Sequence, residues 1–124
     1  MDCLLNEDQV KQFLNNYYLA QGYKTTVAWG HKPGADIIAE KGNERLVIEV
    51  KGCGSRQQMR ENYFLAIIGE LLKRMDRSDA EYFISFPKMK QYENLCSRLP
   101  ALAKQRTQIR MILVDDNGRL EIFE

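Results

Sequence analysis

The sequence contains little of what marks secreted, membrane-spanning or metal–thiolate proteins. Its three cysteines, Cys3, Cys53 and Cys96, match neither a disulfide framework nor a zinc or iron–sulfur spacing. No apolar run is long enough to cross a bilayer, and the acidic N-terminal residues do not resemble a signal peptide. These absences predict a protein of the reducing cytoplasm that does not associate with membranes.

An excess of one charge sign is also missing, since the formal net charge of the 124 residues is +1. The charges are nevertheless unevenly distributed along the chain. Residues 88–110 carry six basic side chains against one acid: Lys88, Lys90, Arg98, Lys104, Arg106 and Arg110 against Glu93. Such a segment indicates either a surface that follows a phosphate backbone or a solvated helix and loop, and its composition does not distinguish the two.

A length of 124 residues and a hydrophobic content of 44% suffice for one core, so residues 1–124 are predicted to form a single domain. Apolar periodicity and turn residues predict the element order α-β-β-β-α-β-α-β-β. The first helix is expected to begin at Asn6, whose side chain forms a capping box with Gln9. This order predicts an α/β fold in which helices flank a mixed central sheet.

The second predicted helix is long and strongly apolar. Ser55 and Gln58 have the spacing of another capping box at its start. Its middle, residues 63–72, is apolar almost all round, which predicts burial against the sheet with a close approach at Gly69. Glu70 would then be a buried carboxylate, and a buried carboxylate needs a partner.

Two acids interrupt the apolar strands that precede this helix. Asp36 lies near the start of one strand and Glu49 near the end of the next, while residues 41–44 form a tight turn between them. An antiparallel hairpin places the start of one strand opposite the end of the other, so the two acids become neighbours. Lys51 follows Glu49 by two residues and therefore points to the same face.

Two carboxylates and an ammonium at one edge of a sheet predict a site for a divalent ion and a phosphate. Mg²⁺ or Mn²⁺ takes oxygen ligands, and Asp36 and Glu49 supply them, with the backbone carbonyl of Val50 as a further candidate ligand. The ion would activate a bound water and stabilise charge on a scissile phosphate. Lys51 would position or deprotonate that water.

Structural alternatives exist for each of these residues. Asp36 fits a turn of the Asx type, and Glu49 with Lys51 fits a charged pair on an edge strand, although the apolar residues around them are typical of a central strand. Glu7 or Asp8 is either an additional metal ligand or a favourable charge at a helix N-terminus. His31, the sole histidine, precedes Asp36 in a turn and either contacts phosphate or has no role.

The stretch from the first helix to residue 86 resembles the PD-(D/E)xK nuclease superfamily. Pro33 and Asp36 correspond to the first half of the motif, although two residues separate them, and Glu49-Val50-Lys51 corresponds to the second half. The resemblance implies a restriction-endonuclease-like fold similar to small Holliday-junction-resolvase and Mrr-like members. It implies metal-dependent cleavage of phosphodiester bonds, by an endo- or exodeoxyribonuclease.

The resemblance also implies DNA as the partner. Lys32, Arg56, Gln57 and Arg60 flank the motif and are predicted to contact the nucleic acid, whereas a solvated surface explains the two arginines equally well. Related small resolvases are dimers, so a homodimer is one expected assembly. A nuclease-fold subunit that binds or regulates nucleic acid without catalysis is the alternative function, because a fold alone does not establish an activity.

Overall fold

The computed structural model of the chain describes residues 5–30 and 32–123, so Cys3 and His31 lie outside the described residues. Its six strands are β1 (Lys24–Val27), β2 (Ile37–Lys41), β3 (Glu44–Val50), β4 (Glu81–Pro87), β5 (Ile109–Val114) and β6 (Leu120–Phe123). Its helices are α1 (Glu7–Ala20), α2 (Gln57–Arg74), α3 (Lys90–Ser97) and α4 (Ala101–Thr107).

The six strands form one sheet in chain order, β1-β2-β3-β4-β5-β6. The β1–β2, β2–β3 and β5–β6 pairs are antiparallel, whereas β3–β4 and β4–β5 are parallel. Parallel neighbours need a crossover, which α2 provides between β3 and β4, and α3 with α4 provides between β4 and β5. The predicted mixed sheet with flanking helices is therefore confirmed.

Helix α1 covers one face of this sheet. Val10, Leu14 and Tyr18 recur every four residues on α1 and are buried against a cluster that includes Ile37 and Ile48. The opposite face of the sheet packs against α2 and α3, where Phe64, Ile67 and Leu71 of α2 lie in a second cluster. Both faces of the central strands are thus buried, which explains their continuous apolar sequences.

The N-terminus of α1 has the predicted capping box. The side chain of Asn6 accepts a hydrogen bond of 2.9 Å from the backbone N–H of Gln9, and the side chain of Gln9 accepts one of 2.8 Å from the backbone N–H of Asn6. These two bonds satisfy backbone donors that the first helical turn leaves without partners. They stabilise the first turn of α1, which carries the acids Glu7 and Asp8.

The predicted length of α2 is correct, but the predicted capping and burial of this helix are wrong. Its N-cap residue is Arg56, which makes no side-chain capping bond, so the predicted capping box of Ser55 and Gln58 does not form. The helix is also not buried all round, since Leu65 is 70% exposed and a Cβ atom on Gly69 would meet nothing within 4 Å. A helix on one face of a sheet buries a single stripe, and composition alone does not show which residues lie outside it.

Two further features were not predicted. Helix α4 begins directly after Pro100, which serves as its N-cap residue and starts a new helix rather than only ending the previous one. Cys53 is disulfide-bonded, contrary to the prediction from cysteine spacing, while Cys96 is buried and free.

Among the described residues, no helix has the length and apolarity needed to cross a membrane.

Candidate active site

The β2–β3 hairpin brings Asp36 and Glu49 together. Ile37 pairs with Ile48 at the end of the ladder, so Asp36 and Glu49 are the next residues along each strand. The Oδ2 atom of Asp36 accepts a hydrogen bond of 2.8 Å from the backbone N–H of Val50. The Asp36 carboxylate therefore continues the hairpin where the backbone ladder ends, and the predicted proximity of the two acids is present.

Glu49 is a buried carboxylic acid in an unusual electrostatic setting. Its side chain is 2% exposed, and its Oε1 atom accepts a hydrogen bond of 2.9 Å from the Nε atom of Arg74. Burial and the adjacent Asp36 carboxylate raise the pKa of Glu49 to about 7, although the Arg74 guanidinium opposes the shift. The negative charge of Asp36 and the loss of hydration both disfavour the ionised form of Glu49, even with the Arg74 guanidinium in contact with it.

Lys51 lies on the same face of the sheet as Glu49, as its spacing predicted. Its Nζ atom is 3.7 Å from the Oε1 atom of Glu70 and 5.5 Å from the centre of the Tyr63 ring. Glu70 was predicted to be buried, but its side chain is 43% exposed. The ammonium of Lys51 is thus held by one exposed carboxylate and one aromatic face, both supplied by α2, and stays at the surface of the cleft.

Lys11 belongs to the site but was not among the predicted site residues. Its side chain is fully buried, and its Nζ atom lies 3.3 Å from Oδ1 of Asp36 and 3.1 Å from Oε2 of Glu7. Burial alone would lower the pKa of Lys11, but hydrogen bonding and attraction from Glu7 and Asp36 raise it overall, so the group is an ammonium. The sequence contained a sign of this burial, because Lys11 precedes the apolar Leu14 by one helical turn and therefore lies on the same face of α1.

Apart from the fully buried Lys11, these side chains line a cleft of about 700 Å³. Its lining comes from the start of α1, the turn before β2, the end of β3 and one face of α2: Asn6, Glu7, Asp8, Gly30, Lys32, Pro33, Gly34, Asp36, Glu49, Lys51, Gly52, Gly54, Tyr63, Glu70 and Arg74. The two halves of the predicted motif therefore meet in one concave site. A cleft of this volume with convergent charged groups is typical of a binding or catalytic site.

Glu7 and Asp8 reach the cleft but already have partners within the protein. Glu7 pairs with Lys11, and the Oδ1 atom of Asp8 accepts a hydrogen bond of 3.3 Å from the backbone N–H of Gly30. Asp8 is also 3.7 Å from the Nζ atom of Lys11. Both acids therefore have partners at this helix terminus, and among the described residues no ion pair joins either of them to Lys51.

Of the four residues predicted to contact nucleic acid, Lys32 lines the cleft. Arg60 donates instead to the side chain of Gln91 at 2.5 Å, and the backbone carbonyl of Gln57 accepts from the same side chain at 2.7 Å. Arg56 lines a smaller recess on the outer side of α2. The contacts of Gln57 and Arg60 join α2 to α3, and contact of all four residues with nucleic acid stays a prediction.

The oxygen donors of the cleft suit a hard divalent ion. Among the described residues, no group of three or more histidine, cysteine, aspartate or glutamate side chains is arranged to hold a metal. Mg²⁺ needs less than that, because it keeps several waters and binds through one or two carboxylates together with substrate phosphates. Asp36 and Glu49 supply such a pair, and burial together with the neighbouring Asp36 carboxylate raises the pKa of Glu49 although Arg74 contacts it.

Comparison with known proteins identifies similar structures but no sequence family. No protein-family model and no curated protein sequence matches the chain. An XisH family protein from Nostoc punctiforme PCC 73102 matches with a TM-score of 0.62 and 16% identity, over 93% of this chain and 98% of that one. An fdxN element excision controlling factor protein from Anabaena variabilis also matches with a TM-score of 0.62 and 16% identity, over 94% and 99% of the two chains. Those proteins have a restriction-endonuclease-like fold, and the likeness assigns that fold to this chain.

Proposed function

We propose that the protein is a metal-dependent nuclease that hydrolyses phosphodiester bonds in DNA. The observation that carries this proposal is the placement of Asp36, Glu49 and Lys51 on one wall of the cleft. The acids come from the two strands of a hairpin, and the lysine follows on the same face. The restriction-endonuclease-like fold of the similar structures supports the same chemistry.

Each residue has a defined part in the proposed reaction. Asp36 and Glu49 would hold Mg²⁺ or Mn²⁺, together with the Val50 carbonyl predicted as a further ligand. The ion, when bound, lowers the pKa of a water molecule and stabilises negative charge on the phosphate. Arg74 keeps the buried Glu49 side chain oriented through its 2.9 Å contact.

Lys51 is the group that meets the phosphate or the attacking water. Its contact with Glu70 is 3.7 Å, longer than a strong ion pair, and its side chain is 20% exposed to the cleft. An ammonium held this loosely can move to a negatively charged substrate at little energetic cost. Lys32, which is exposed on the opposite rim, adds a second positive charge for the backbone of the nucleic acid.

The proposal is tested by incubating the protein with linear, supercoiled, single-stranded and branched DNA in the presence of Mg²⁺ or Mn²⁺. We expect cleavage by the wild type, and a loss of at least about 100-fold in Asp36→Asn and Lys51→Met, because each removes a group needed at the phosphate. Lys104→Met, on α4 and outside the cleft, is the matched control and should cleave normally. Cleavage that persists in both site variants would come from a contaminant and would refute the proposal.

A second function is favoured by a specific observation. Asp36 and Glu49 are already paired with Lys11 and Arg74, so the site is partly compensated without a metal. One of the structurally similar proteins is named an excision controlling factor, which is a name for a regulator of excision. A nuclease-fold protein that binds DNA without cutting it would show metal-independent binding and no cleavage of any substrate. A homodimer stays a prediction for either function.

A further inference from the structure

The ammonium group of Lys11 has the surroundings of a bound cation. Carboxylate oxygens of Glu7, Asp36 and Asp8 lie 3.1, 3.3 and 3.7 Å from its Nζ atom. The backbone carbonyl of Ala28 accepts a hydrogen bond from the same atom at 2.6 Å. All four neighbours are oxygen atoms, and three of them belong to acidic side chains.

A divalent ion such as Mg²⁺ or Mn²⁺ prefers the same kind of ligand set, in which carboxylate and carbonyl oxygens surround one position. Here that position is filled by a group attached covalently to α1, and the Lys11 side chain is fully buried. A free ion could take this position only if the ammonium left it. Lys11 therefore occupies the place between Glu7 and Asp36 that a metal would need.

Asp36 belongs to two sets of contacts at once. Its Oδ1 atom contacts Lys11 on the α1 side, whereas its Oδ2 atom accepts from the Val50 N–H beside Glu49. Apart from Glu70, which pairs with Lys51, the acids of the cleft thus fall into two groups that share Asp36. Glu7 and Asp8 belong with Lys11, and Glu49 belongs with the proposed metal.

We propose that the Lys11 ammonium replaces a second metal ion, so that each chain takes a single divalent ion between Asp36 and Glu49. This inference rests on the proposed function and adds the number of ions to it. It also assigns Glu7 and Asp8, which the sequence left open as ligands or helix charges, to the lysine. Positive charge that a second ion would add in a two-metal site would then have to come from side chains of the protein.

The experiment counts bound Mn²⁺ by titration calorimetry and by the electron paramagnetic resonance of the free ion. Wild type is expected to bind one Mn²⁺ per chain. Lys11→Met empties the position between Glu7 and Asp36 and is expected to bind two. Lys104→Met makes the same substitution on α4, outside the cleft, and should still bind one.

The Lys11→Met variant leaves carboxylates uncompensated, so its folding must be measured. Its melting temperature is expected to rise more with added Mn²⁺ than that of the wild type, because two ions stabilise the folded state instead of one. If Lys11→Met does not fold without metal, the double variant Lys11→Met/Glu7→Gln is used, because it removes the excess negative charge. This double variant is expected to fold and to bind Mn²⁺ more tightly than the wild type.

The outcomes separate this inference from the proposed function. Two ions on the wild type, or none, overturn it, and so does a folded Lys11→Met that binds one ion with wild-type affinity. A wild type that binds one Mn²⁺ and cleaves no DNA contradicts the nuclease proposal and leaves the single-ion inference standing. A wild type that binds two Mn²⁺ ions and cleaves DNA supports the nuclease proposal and overturns the single-ion inference.

Discussion

Asp36 shows how one side chain takes part in both the fold and the site. Its carboxylate accepts the N–H of Val50 at the point where the β2–β3 ladder ends, and the same group contacts Lys11 from the other side of the sheet. A carboxylate with one bond on each oxygen has a fixed orientation. This is the pre-organisation that an oxygen ligand needs, because reorganisation would otherwise cost binding energy.

The raised pKa of Glu49 makes the stability of the metal-free protein depend on pH. The pKa is about 7 in the folded protein against an ordinary value of 4.5, so folding favours the protonated acid. This stabilisation is complete below pH 4.5 and is lost as the pH rises through about 7. We expect the Glu49 contribution to the free energy of unfolding to fall over that range.

Urea unfolding at several pH values, in the presence of a chelator, measures this effect against Glu49→Gln. The neutral amide cannot ionise, so the variant should lose less stability than the wild type between pH 4.5 and 7. Because all other ionisable groups are shared, the difference between the two curves isolates Glu49. Parallel curves would show that Glu49 ionises normally.

At the scale of elements, the site depends on how closely α1 approaches the loop after β3. A Cβ atom on Gly52 would lie 2.5 Å from the backbone nitrogen of Glu7 and 2.8 Å from the carbonyl carbon of Asn6. The hydroxyl of Tyr92 also donates to the Gly52 carbonyl at 2.8 Å. Only a residue without a side chain fits here, so Gly52 allows the start of α1 to approach the loop after β3 beside the cleft.

The two glycines Gly52 and Gly69 give a matched pair of substitutions. Gly52→Ala is expected to destabilise the protein by about 1–3 kcal/mol, because the added methyl group meets the backbone of α1. Gly69→Ala, in the exposed middle of α2, is expected to stabilise by about 0.5–1 kcal/mol, because alanine loses less entropy in a helix. Thermal or urea unfolding distinguishes the two, and equal effects of both changes would contradict the close approach at Gly52.

At the scale of the whole molecule, the basic segment 88–110 divides between opposite edges of the sheet. Parallel pairing places the ends of β3, β4 and β5 at one edge, since Val50 pairs with Ser85 and Pro87 pairs with Val114. Lys90 begins α3 just after this edge, which is also the edge of the cleft. Lys104 lies at the other edge, in a recess with the first residue of β5, Ile109.

This division predicts different effects of charge reversal on DNA binding. Lys90→Glu should weaken binding and lower the dependence of log affinity on log salt by about 1, as expected for a lost phosphate contact. Lys104→Glu carries the same charge change at the far edge and should have little effect. Fluorescence anisotropy with labelled DNA, in buffer that contains a chelator, measures the affinity of both variants. Equal weakening by the two changes would contradict binding of DNA at the cleft edge of the sheet.

Much of the architecture follows from local sequence. The capping box at Asn6, the turn at 41–44 and the alternating strands each act through neighbouring residues, so their pattern predicted α1, the β2–β3 hairpin and the proximity of Asp36 to Glu49. The spacing of Glu49 and Lys51 likewise required no more than the two-residue period of a strand.

The tertiary structure alone decided which charged groups meet across elements. Lys11, Glu70 and Arg74 lie on helices whose rotation about their axes depends on packing against the sheet, so their contacts with Asp36, Lys51 and Glu49 are absent from any local pattern. The same dependence explains why α2 exposes Leu65 and Gly69 although its sequence predicted burial. Local chemistry therefore determined the two acids and the lysine of the motif, and packing determined the cations and the carboxylate that hold them in place.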